Sequence, residues 1–93
     1  MASPTFKAII LDNAGSGEDL TWLTTSSSMV LSCVSGAVTL TDESDGGSTT
    51  LWVGTAGGDD RAILDFYQGA RLKATATAAD TTFTVAKHGW QEL

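Results

Sequence analysis

Ninety-three residues and 9.6 kDa allow one domain with one thin core, since folding at this size hides only ~60–70% of the chain's surface. Five basic against eleven acidic residues leave a net charge of −6. That balance argues against a nucleic-acid binder and against docking on an anionic bilayer, because both need clustered Lys and Arg. Cys33 is the only cysteine, so an intrachain disulfide framework is excluded.

The chain opens with Met1-Ala2-Ser3-Pro4-Thr5-Phe6-Lys7, without the basic and long apolar stretches of a signal peptide. Its apolar run Ala8–Leu11 is far short of the ~20 residues that span a bilayer. A reducing cytoplasm is the expected place of synthesis. Helix periodicity is nearly absent, and Thr and Ser, fourteen and nine copies, suit half-solvated strands punctuated by glycine turns.

Eight strands are expected in order. Thr5–Leu11 ends at Asp12-Asn13-Ala14-Gly15-Ser16-Gly17, and Leu20–Thr25 follows with Trp22 inside it. Met29–Val34 and Ala37–Thr41 flank Ser35-Gly36, which reads as a two-residue hairpin connection. An acidic loop, 42–48, leads to Thr49–Val53, and the glycine-rich 54–60 leads to Arg61–Tyr67. Arg71–Thr77 and Thr81–Lys87 read as a closing hairpin, with Leu72, Ala74, Ala76, Phe83 and Val85 on its dry side. The fold class is all-β: a small antiparallel sandwich over residues 1–93, jelly-roll-like, with short terminal arms and a closed small barrel as competitor.

Three strands break the rule of one wet face. Ala8-Ile9-Ile10-Leu11, Met29-Val30-Leu31 and Leu51-Trp52-Val53 are apolar on both sides. A two-layer domain of this length has too little chain to cover a second face, so another subunit or a larger body is expected to do so.

The reactive side chains read more simply as structure. Cys33 lies in an apolar strand with no basic neighbour to activate it, so it reads as a small buried hydrophobe. His88 reads as a surface residue of the tail, and one His with one Cys falls short of a zinc site. The loop beginning Asp42-Glu43-Ser44-Asp45-Gly46-Gly47 fails the register of a calcium loop, although Asp59 and Asp60 could join it if both loops share one end. Trp22, Trp52 and Trp90 could form a sugar platform, with Trp52 the best candidate for an exposed ring, but Trp also anchors cores and interfaces. The glycine loops lack a phosphate-loop context. Arg61, Arg71 and Lys73 could share a small positive island if their strands pair, or salt-bridge to Asp59 or Asp60 of another subunit. No catalytic pair and no cofactor are expected.

The short start Met1-Ala2-Ser3-Pro4, the strand Leu72-Lys73-Ala74-Thr75-Ala76-Thr77 and the closing Thr81-Thr82-Phe83-Thr84-Val85 together resemble the small virion structural proteins of tailed bacteriophages. Among these, the size resembles capsid decoration or cement proteins. The resemblance implies a non-catalytic β-sandwich on the virion, often a trimer, stapling the major capsid protein with help from its terminal arms. The expected interface is Phe6, Ile9, Leu11, Val30, Trp52 and Trp90. A tail fibre, baseplate or connector module and a carbohydrate-binding module are the alternatives.

Overall fold

The computed structural model describes residues 7–23, 28–65 and 69–87. Eight strands occupy them: β1 (Lys7–Ala14), β2 (Asp19–Leu23), β3 (Ser28–Ser35), β4 (Ala37–Asp42), β5 (Thr49–Thr55), β6 (Arg61–Asp65), β7 (Arg71–Ala76) and β8 (Thr81–Lys87). Each lies on one of the eight expected spans, because turn-formers interrupt the chain wherever period-two alternation stops.

The strands form two four-stranded antiparallel sheets. Sheet A runs β1-β8-β3-β6 and sheet B runs β2-β7-β4-β5. The pairs β1·β8, β2·β7, β3·β6 and β4·β5 nest inside one another as a single long hairpin would, and that hairpin is wound over on itself. This order is that of a jelly roll. Only β4–β5 is a local hairpin; every other connection crosses between the sheets.

Two sequence expectations are corrected by this order. Ser35-Gly36 is not a hairpin turn, since β3 belongs to sheet A and β4 to sheet B. The closing pair is not a hairpin either: β7 lies between β2 and β4, whereas β8 lies between β1 and β3. The reason is visible at the corner where both crossings meet. A register shift between Cys33 and Ser35 bends the end of β3, and Gly36, at φ +73°, swings the chain towards the other sheet. Thr81, fully buried at the start of β8, then ties the corner together. Its hydroxyl accepts the Ala37 N–H at 3.2 Å and faces the carbonyls of Ala78 at 2.8 Å and Ala37 at 3.1 Å. Ser35 Oγ adds a bond to the Asp80 carbonyl at 2.7 Å.

Leu11, Met29, Leu31, Cys33, Phe83 and Val85 of sheet A face Val38, Leu40, Trp52, Leu72, Ala74 and Ala76 of sheet B. Phe83 is the centre. Trp22, on one edge strand of sheet B, approaches it at a centroid distance of 6.4 Å, and Trp52, on the other edge, at 6.1 Å. Alanines on β7 leave room between the two indoles, so large and small side chains interleave as close packing requires. Gly54 does the same for Trp52, whose ring lies where a Cβ on residue 54 would stand, 2.3 Å away.

Candidate functional site

The two outer faces of the sandwich differ in chemistry. On sheet B the outward positions of β2, β7, β4 and β5 read across as Asp19, Thr75, Thr39, Val53 and, one row on, Thr21, Lys73, Thr41, Thr50. Lys73 Nζ pairs with Asp19 at 3.7 Å. Threonine and charge make this an ordinary wet face, with exposed Leu23 and Val53 only on its edge strands.

Sheet A is different. Ala86, Val30 and Ile63 lie side by side across β8, β3 and β6. Ile9 of β1 sits in the next row with Thr84 and Ser32. Ile9 is 61% exposed and Ile63 55%, and Val34 projects from the irregular end of β3. Of the described side chains that β8, β3 and β6 turn to this face, only Arg61 and Asp65, the ends of edge strand β6, carry charge, while Asp12 stands exposed on edge strand β1. An apolar row with charges confined to the edge strands is what an interaction surface presents.

Of the six residues expected at an interface, Ile9 and Val30 lie on this face. Leu11 and Trp52 do not: both are in the chain's own core, Trp52 only 8% exposed. Val53 faces outward, but a register shift interrupts alternation at Leu51, which packs against the core, and the Trp52 ring turns inward over Gly54 and against Phe83. The idea of an exposed Trp52 ring is thereby corrected, and Trp22 and Trp52 stand on opposite edges of sheet B rather than on one platform. Phe6 and Trp90 lie outside the described residues, as does His88. Ile63 was missed, although its signal was present: Arg61 and Asp65 mark the wet face of their strand, and period two puts Ile63 on it.

Cys33 is buried, its thiol directed at the carbonyls of Ser35 and Gly36, and burial pushes its pKa up. A protonated, shielded thiol is a poor nucleophile. In the acidic loop, hydrogen bonds from Ser44 hold the Asp42 carboxyl below its usual range, and the hydroxyls of Ser48 and Thr41 do so for Glu43. Asp59 and Asp60 cannot join them, because the two loops lie at opposite ends of β5, roughly 20 Å apart along the strand. Among the described residues no three His, Cys, Asp or Glu side chains converge as metal ligands would. Arg71 and Lys73 share the outer face of sheet B, but Arg61 belongs to sheet A, so the three make no common island. No helix among the described residues is long and apolar enough to cross a membrane. Compared with known proteins, the chain matches no family model, no curated protein and no solved structure.

Proposed function

We propose that this protein is a non-catalytic virion structural protein of the capsid decoration or cement type, docking on the major capsid protein through the outer face of sheet A. The observation that carries the reading is the row Ala86–Val30–Ile63 with Ile9 beside it, Ile9 and Ile63 exposed and Val30 and Ala86 half-buried, on a sheet whose inner face is already filled. Burying such a row contributes ~25 cal/mol per Å² before ordering costs, modest for one copy and large for many on one shell. The jelly roll suits the role by analogy of fold, since capsid domains use it, as do lectins and cupins. Lys7 pairs with Ala86, so the described ends of β1 and β8 lie beside that row.

The test is sedimentation of the purified protein with capsid shells that lack it. Val30→Asp should abolish co-sedimentation while far-UV circular dichroism stays that of a folded β protein. Undiminished binding by a folded Val30→Asp variant removes this face from the role. Electron microscopy of the parent particle separates a place on the head from one in the tail.

A further inference from the structure

We infer that edge strand β6 pairs with β6 of a second copy, antiparallel about Ile63, to give a two-fold dimer with one continuous eight-stranded sheet. Hydrogen-bond parity supplies the first ground. The Cys33 N–H donates to the Asp60 carbonyl at 2.8 Å, in line with the register of β3 on β6. In an antiparallel ladder, bonded and non-bonded pairs alternate. The groups of Ala62 and Leu64 therefore bond to β3, while the N–H and C=O of Arg61, Ile63 and Asp65 point out from the sheet edge. A partner strand in register would bond to all three.

Charge supplies the second ground. Arg61 and Asp65 stand roughly 13 Å apart along one strand, too far to pair with each other. Among the described residues neither forms an ion pair within its own chain. Reading Arg61-Ala62-Ile63-Leu64-Asp65 against itself in reverse sets Arg61 opposite Asp65, Ile63 opposite Ile63 and Asp65 opposite Arg61. These are bonded pairs, and all their side chains lie on the outer face. Each copy thus supplies what the other needs, the condition for an isologous contact.

No other edge among the described strands offers this. β1 carries two register shifts, which spoil a flat edge. β2 turned on itself would set Asp19 opposite Leu23, and β5 has no charged residue. Pairing through β6 also extends the apolar row, which becomes Ala86–Val30–Ile63–Ile63–Val30–Ala86 across the two copies. The contact closes at two copies rather than the three implied by the resemblance. It stands apart from the proposed docking role, since it needs no shell.

Light scattering and sedimentation velocity across concentration, with charge reversals, test it. The wild type should give an average mass that rises with concentration towards that of two copies. Arg61→Glu and Asp65→Arg should each weaken dimerisation about tenfold or more by setting like charges opposite. The double reversal should restore it. Ile63→Pro removes only an N–H that faces outward, so it should yield a folded monomer. Hydrogen exchange on the wild type gives a readout free of mutation: the amides of Arg61, Ile63 and Asp65 should slow as concentration rises. A wild type that stays monomeric at every soluble concentration overturns the inference. So does a dimer that survives Arg61→Glu with those three amides still exchanging fast.

Discussion

The corner at Gly36 offers a quantitative test of what holds the two sheets in this order. A Cβ on residue 36 would stand 2.2 Å from Thr81 Oγ1 and 2.7 Å from Thr81 Cα, where carbon contacts settle near ~3.5–4.0 Å. Backbone is in the way, so β8 must retreat, and the Thr81 hydroxyl loses its bonds to Ala37 and Ala78. Placing Ala at φ +73° costs ~1–2 kcal/mol. Two lost hydrogen bonds and a half-buried Ala37 N–H left without its acceptor add roughly 2–3 kcal/mol. Gly36→Ala should therefore destabilise by about 3–5 kcal/mol, a large share of the ~5–14 kcal/mol that a chain of this length has. Gly57→Ala is the control: φ is +80° there and nothing stands within 4 Å, so only the backbone cost of ~1–2 kcal/mol applies. Urea unfolding followed by tryptophan fluorescence should show both midpoints falling with the slope unchanged, Gly36→Ala by two- to threefold more. Equal losses for the two variants would show that the corner exerts no grip, and that the sheet crossing is held elsewhere.

Three further outcomes follow from the core and the loops. Trp52→Ala should cost about 3–5 kcal/mol in thermal or urea melts. Trp52→Phe should cost far less, since it keeps the ring against Phe83 and removes an indole N–H that finds no acceptor among the described residues. Cys33 should resist alkylation at about pH 8 in the folded protein and react on unfolding; a native rate matching that of a free thiol would contradict its burial. Because its folded pKa is raised, stability linked to Cys33 is complete below the ordinary value of 9.0 and declines as pH rises beyond it. Asp42 and Glu43 act in the opposite sense. Their lowered pKa values stabilise the fold above the ordinary 3.8 and 4.5, and that contribution fades as pH falls. The stability gap between wild type and Asp42→Asn should narrow from about pH 6 to about pH 3, and a gap that widens over this range would reverse the assignment.

What the sequence disclosed was local, and what it concealed was long-range. Strand spans were legible because glycines and short polar runs end them, and dry faces were legible wherever a charged residue marked the wet one, as Arg71 and Lys73 do on β7. Pairing was not legible. Ser35-Gly36 is as short as a hairpin turn, and only the contact with Thr81, forty-five residues along the chain from Gly36, turns it into a crossing. On β5 no charge marks a face, so alternation alone left the direction of Trp52 open. Gly54, two residues on and on the same side, was the signal that a large ring folds inward there. Leu11 was legible as apolar but not as core, because the register shifts in β1 interrupt the alternation that would have separated it from Ile9.

The proposed docking face stands in contrast to the other outer face of the same chain. Thr occupies outward strand positions of sheet B at residues 21, 39, 41, 50, 55 and 75. It suits a pleated, half-wet surface as well as Val or Ile does, without exposing a large apolar side chain. The fold therefore has no need of Ile9, Val30 or Ile63 where it places them. Their inward neighbours Leu11, Met29, Leu31, Ala62 and Leu64 already supply that part of the core. Exposed apolar side chains scattered singly need no explanation. These three are not scattered: they fall within adjacent rows of one sheet, beside the strand edge whose charges mirror each other. In the two proposals a second copy would satisfy the edge and a shell the face, and neither use competes with the other, because the hydrogen bonds lie in the plane of the sheet and the side chains stand out of it.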